Sequence, residues 1–156
     1  MSMSEITGQP SFVVMQIGKR HFALPSDIVV ELAPPVRLHR FPHTSPLLAG
    51  VIVRRGRIVP VYDAASVLVG NSAFTQRFFL IARRRSGKSA DFGAIPVNGE
   101  CELASGEVLA PAPDRPVYVT GSLAFNDELI DVLDFTALAA LNASSAGRPR
   151  SAEIPS

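Results

Sequence analysis

The chain has 156 residues, enough for one domain or two very small ones, and a chain of this length buries roughly 70% of its unfolded surface without needing disulfide or metal staples. Its hydrophobic content of 47% excludes global disorder, and a net charge of +1 means that any affinity for nucleic acid or other anions must come from a local patch. The single cysteine, Cys101, excludes an internal disulfide framework and a cysteine-based zinc cluster, and fits a reducing compartment. The polar start, Met1 to Pro10, lacks the apolar core of a signal peptide, and no apolar run reaches bilayer-crossing length, so a soluble cytoplasmic protein is expected.

Residues 1–10 read as a loose tail. Phe12 to Ile17 and Phe22 to Leu24 are apolar runs around a Gly18-Lys19-Arg20-His21 turn, which predicts a hairpin. Asp27 to Ala33 suits a strand or a short helical turn. Val36 to Phe41 alternates apolar and basic residues with period two, as a strand with one exposed face does. Pro42, Ser45 and Pro46 then make a rigid connection. Asp63 stands where a helix N-cap belongs, with Ala64 to Val69 following it as a short helix. Phe78 to Ala82 and Phe92 to Val97 predict strands on either side of a basic turn, Arg83 to Lys88. Leu103, Val108 and Leu109 mark short apolar pieces, and Ala110 to Pro116 is extended and proline-rich. Tyr118 to Phe125 and Leu129 to Leu133 form a last hairpin, and Asp134 caps a helix over Phe135 to Leu141. Residues 143–156 read as a second tail.

The most informative stretch is Gly50 to Asp63, in which two β-branched runs flank Arg54-Arg55-Gly56-Arg57. Gly56 can take the positive φ of a tight turn, which predicts a hairpin with three arginines at its tip. Both strands are apolar at nearly every position, so both faces are expected to be buried. Pro60 cannot donate a backbone hydrogen bond, which argues for an edge strand or a bulge. Three like charges repel one another, so folding alone gives little reason to gather them.

The chain also repeats itself. Sliding residues 22–68 onto 93–139 without gaps matches ten positions identically, among them Ala23/Ala94, Pro25/Pro96, Glu31/Glu102, Gly50/Gly121, Val61/Val132 and Asp63/Asp134. The matches fall on turns, caps and strand interiors, which predicts two copies of one small β unit of about five strands. The hairpin tips differ: Arg54-Arg55-Gly56-Arg57 in the first copy faces Phe125-Asn126-Asp127-Glu128 in the second. Kept strands with tips of opposite charge suggest that the tips meet different partners.

From Phe41-Pro42 and Pro46 through Gly50 to Asp63, with Glu31 before and Leu129 to Asp134 after, the chain resembles the CheW-like domain, the adaptor fold of bacterial chemosensory arrays. The resemblance implies a mainly β fold of two intertwined SH3-like five-stranded β-barrels over residues 11–142, the first mainly 11–70 and the second mainly 75–141, with short helices after Asp63 and Asp134. It implies no catalysis and no cofactor or metal. Its implied partners are the regulatory domain of a CheA-type histidine kinase and the cytoplasmic tip of a chemoreceptor, with membrane contact only through receptors. Arg55 stands where the family keeps an arginine, whereas Val53, Arg54 and Arg57 replace its usual asparagine, leucine and glutamate.

The candidate protein-binding residues are Arg55, Arg54, Arg57, Glu31, Val53, Phe41, Pro42 and Gly56. The planar fork of Arg55 suits backbone carbonyls or a carboxylate, and Glu31 suits either a basic partner or Arg55 itself. Arg54 and Arg57 suit rim charges that tune encounter and specificity, beside an apolar patch at Val53 or Phe41 that would carry the energy. His39 and His43 have i, i+4 spacing, but Pro42 between them breaks the helix that a metal pair would need. Cys101 reads as a buried thiol. The alternative class is a nucleic-acid-binding barrel using the basic turns, against which stand the absence of Trp and a count of only two Tyr.

Overall fold

The computed structural model describes residues 9–40, 47–70, 78–86 and 89–141. Ten strands and two short helices account for most of them: β1 (Ser11–Ile17), β2 (Arg20–Pro25), β3 (Val29–Ala33), β4 (Leu48–Arg54), β5 (Arg57–Tyr62), α1 (Ala64–Leu68), β6 (Phe78–Ser86), β7 (Ser89–Val97), β8 (Glu102–Ser105), β9 (Val119–Phe125), β10 (Glu128–Leu133) and α2 (Phe135–Ala139). Among the described residues no helix is long and apolar enough to cross a membrane.

The strands form two five-stranded mixed sheets, ordered β8-β1-β2-β10-β9 and β3-β6-β7-β5-β4. The 71-residue offset carries β4 onto β9, β5 onto β10 and α1 onto α2 residue for residue. Exchanging the two halves of the chain turns one strand order into the other, so the duplicated sequence folds as a duplicated sheet. In both sheets one parallel strand pairing joins the halves, β2 to β10 at Phe22↔Asp131 and Ala23↔Val132, and β5 to β7 at Val61↔Ala94, and the last two of these pairs are equivalent in the repeat. The alanine of each of those two is a repeat identity. Each sheet takes three strands from one half and two from the other, so the halves are intertwined and each would lose its sheet without its partner half.

Strand periodicity explains the three cores. On β1, Phe12 and Val14 enter the interior of their own sheet, while Val13, Met15 and Ile17 face a central cluster between the sheets. On β6, Phe79 and Ile81 likewise turn inward while Leu80 and Ala82 join the central cluster. Strand segments covered on both faces read as unbroken apolar runs, as Phe12 to Met15 and Phe78 to Ala82 do. The central cluster is completed by Phe22, Leu24, Tyr62, Ile95, Leu133 and residues of both helices, with Phe135 set edge-on to Tyr62 at 6.3 Å between ring centroids.

Each sheet curls toward closure through one bent segment. After β3 the chain runs past Pro34-Pro35 so that His39 exchanges two backbone hydrogen bonds with Val51 of β4, at 2.8 and 3.0 Å. After β8, Leu109 does the same with Ser122 of β9, at 2.9 Å each way. A Cβ on Gly50 would stand 2.5 Å from the His39 carbonyl oxygen, and one on Gly121 2.5 Å from that of Leu109. The repeated glycine is therefore demanded by the close approach that closes each curl.

Three local expectations differ from the structure, and a fourth, left open between turn and strand, is resolved by it. Val36 to Arg40 forms no strand: its alternation serves a loop in which Val36 and Leu38 pack on the core and only His39 bridges. Arg83 to Arg85 continue β6 instead of opening a turn, because β7 is long enough to pair with them. Ser26–Ile28 is a single 3-10 turn before β3, so Asp27 to Ala33 is both turn and strand. Pro60 lies on β5, an interior strand. Val51 spends its N–H and C=O on His39, so its pair with Pro60 is a non-hydrogen-bonded one. The missing donor of Pro60 thus faces β7, where pairing is the single contact at Val61, and no ladder bond is lost.

Both aspartates occupy helix N-cap positions. Asp134 accepts a hydrogen bond from the Ala137 N–H at 3.1 Å, whereas the carbonyl of Asp63 receives both the N–H and the hydroxyl of Ser66. Cys101 is partly buried against the central cluster, and burial pushes its thiol up to about 11, which keeps it protonated at neutral pH.

Candidate functional site

The β4–β5 hairpin closes with a two-residue loop, Arg55-Gly56, between the paired residues Arg54 and Arg57. Both loop residues have positive φ, 53° and 78°, as do Asn126 and Asp127 in the equivalent loop, at 49° and 66°. These are the mirror-image turns whose twist matches the flanking strands. Gly56 has nothing within 4 Å of where a Cβ would lie, so it is required for its φ alone. Arg55 holds the same conformation without being glycine, which costs roughly 1–2 kcal/mol.

The three arginines do not crowd together as the sequence suggests; each goes to a different place. Arg54 and Arg57 are direct cross-strand neighbours, an arrangement that like charges disfavour. Arg54 turns to Glu31 of β3, donating from Nε and Nη2 to the same oxygen, Oε2, at 2.9 and 2.7 Å. Arg55 reaches the other oxygen, Oε1, through its Nε at 3.1 Å. Arg57 lies over the ring of Phe92, 4.7 Å from its centroid.

Glu31 is therefore engaged inside the fold, chiefly by Arg54 and secondarily by Arg55. The two ends of the cluster differ in exposure, with Arg54 at 25% and Arg55 at 73% of full side-chain accessibility. The terminal nitrogens of Arg55 thus remain presented to solvent while its Nε is anchored.

The hydrogen bonds from Arg54 hold the Glu31 carboxyl below its ordinary value of 4.5, against a smaller opposing effect of burial, with Arg55 adding to the lowering. A carboxyl whose folded value is depressed contributes stability that is complete above 4.5 and is lost as pH falls through the folded value. Glu31→Gln is expected to cost about 1–2 kcal/mol at pH 7, because it leaves two guanidinium groups without their anion. Urea denaturation of both proteins at pH 7 and at pH 3.5 checks this: the gap between them narrows at the lower pH.

The apolar side of the hairpin also departs from expectation. Val53 and Ile58 face each other across the strands and are 54% and 73% exposed, so the outer face near the tip is not buried. The alternation places Ile52 and Val59 in the sheet interior and leaves Val53 and Ile58 outside. Phe41 and Pro42 lie outside the described residues. Sequence reasoning missed Ile58, although its cross-strand register with Val53 follows directly from the two-residue loop.

The second hairpin has the same strands and a different tip. Asn126, Asp127 and Glu128 are exposed, Glu128 stands 3.9 Å from His21, and Leu129 is exposed in the place of Ile58. Asp131, two positions further along β10, is held by Arg115 and by Arg20.

The fold is shared with the scaffolding protein TtCheW from Thermoanaerobacter tengcongensis, with a TM-score of 0.74 and 19% sequence identity over 86% of this chain and 90% of that one. No curated protein matches the chain. The family model of the CheW-like domain matches residues 11–143, which takes in both sheets, both hairpins and both helices. The chain belongs to the CheW-like domain family.

Proposed function

We propose that this protein is a non-catalytic adaptor of a chemosensory array, binding the regulatory domain of a CheA-type histidine kinase and the cytoplasmic tip of a chemoreceptor. The observation that carries the reading is the family match over residues 11–143. On this reading the protein is cytoplasmic and meets the membrane only through receptors. Its action is assembly: by holding the kinase beside the receptor, it lets a receptor movement bias the kinase between two states.

The first hairpin supplies a surface of the right kind. Exposed Val53 and Ile58 provide apolar area, and the outward nitrogens of Arg55 provide directional donors beside it. Arg54 is committed to Glu31, so its role is to brace Arg55 and the tip, and partner choice falls to Arg55 and Arg57. A titration of the protein against the isolated regulatory domain of its cognate kinase tests the reading. Saturable binding near or below micromolar is expected, and Arg55→Ala weakens it about tenfold while leaving the fold intact. An absence of binding far above micromolar concentrations overturns the proposal. Unchanged binding by the Arg55→Ala variant removes that residue from the interface and leaves the adaptor reading standing.

A further inference from the structure

Beside the hairpin tip, the ends of β5, β6 and β7 enclose an open groove of about 430 Å³ lined by Arg57, Ile58, Pro60, Arg84, Asp91 and Phe92. Its charge is unbalanced. Arg20, Arg54, Arg55 and Arg115 are each paired with a carboxylate, whereas among the described residues Arg57 and Arg84 find no ion-pair partner. Arg57 lies against the Phe92 ring, which holds the guanidinium in place without satisfying its N–H groups.

Arg84 is more constrained. Its Nη1 donates to the Tyr62 hydroxyl at 2.8 Å, and its Nε is removed from solvent with no hydrogen-bond partner among the described residues. A buried guanidinium N–H without an acceptor is destabilising, and such a group stands out in a native protein. Asp91 is opposite Arg84 in the β6–β7 register but is exposed and forms no ion pair with it. Two guanidinium groups against the one carboxylate of Asp91 leave the groove net positive, and exposed Ile58 gives it an apolar rim.

We infer that this groove receives an acidic side chain of a protein partner, an aspartate or glutamate followed by an aliphatic residue that packs on Ile58. The carboxylate lies between Arg57 and Arg84, where the aromatic backing and the partial exclusion of water make a charged hydrogen bond stronger than at an open surface. The inference rests on the adaptor reading and adds to it a second contact, separate from Arg55, that selects a partner by its acid. Arg57 stands where the family resemblance has a glutamate, so a glutamate there would repel the same partner; the groove is a specificity device as well as a contact.

The test measures binding of the wild-type protein, Arg57→Glu, Arg84→Glu and Arg37→Glu, an exposed arginine outside the groove lining, to the kinase regulatory domain and to a soluble receptor-tip fragment, each at about 0.05 and 0.2 M salt. The thermal transition of each variant checks that it folds. The expected result is a tenfold or greater loss toward one of the two partners for both groove variants, strongest at low salt, with Arg37→Glu unchanged. Arg57→Ala serves if Arg84→Glu does not fold, and is expected to lose several-fold. Equal losses for Arg37→Glu and the groove variants overturn the groove, since only overall charge then matters. Full binding of both partners by both groove variants overturns it while the adaptor reading survives, and a wild type that binds neither partner overturns both.

Discussion

Gly50→Ala is expected to lower stability by about 3 kcal/mol, with Gly121→Ala close behind. The added Cβ of the first would stand 2.5 Å from a backbone carbonyl oxygen, that of His39, and 3.1 Å from Leu38 Cδ1. A flexible side chain could swing away from such a contact, but the His39 carbonyl is held by its hydrogen bond from Val51. Relief requires the His39–Val51 bridge to open, which exposes Val36 and Leu38 where they cover the interior of the sheet. Because the two sites lie in different sheets, the losses are expected to add within about 0.5 kcal/mol in the double variant. Urea denaturation at pH 7 of the two single variants and the double one measures both statements. A loss below 0.5 kcal/mol for Gly50→Ala would mean that the bridge is not needed to close the curl.

The second large effect concerns how the two sheets are joined. Phe135→Ala is expected to cost about 3–5 kcal/mol, since Phe135 is 1% exposed and fills the central cluster beside Tyr62. The backbone is built around this ring: a Cβ on Gly93 would lie 2.9 Å from its Cζ and 2.8 Å from Tyr62 Cε2, so β7 passes the two aromatics as closely as a glycine allows. At roughly 2–4 °C per kcal/mol for a chain of this size, the midpoint falls by about 10 °C. The shape of the transition is as informative as its position. Each sheet contains strands of both halves, so neither can form alone, and unfolding of the variant remains one cooperative step by circular dichroism and by tyrosine fluorescence. Two separated transitions would show that the sheets fold independently and that the exchange of strands is not what couples them.

Much of this was readable from the chain. Strand and helix positions followed from the apolar runs and from Asp63 and Asp134, and the internal offset predicted which elements are equivalent. The fate of the arginines was not readable. Sequence spacing puts Arg54, Arg55 and Arg57 at one tip, but it does not say that β3 carries Glu31 to the side of the hairpin that Arg54 faces, or that Phe92 of β7 lies under Arg57. Arg84 read as part of a basic turn. It became a half-buried groove residue because β7 continues far enough to pair with it and Tyr62 stands on β5, the next strand beyond β7.

The sequence by itself determined where the elements are, that they come in two copies, and that the two hairpin tips carry opposite charge. Those properties are local: they depend on alternation, turn chemistry and residue identity within a few positions of one another. Only the tertiary structure decided which strands share a sheet, that Pro60 sits harmlessly inside one, and which arginines are neutralised. Those depend on pairings between residues that are far apart in the chain. A period of two specifies which face of a strand is apolar, but it carries no information about which strand will be its neighbour. At the basic hairpin the division is plain. Its existence was written in β-branched runs around a glycine, while its division into a braced Arg54, a presented Arg55 and a groove-lining Arg57 was made by β3, β6 and β7 arriving from elsewhere in the chain.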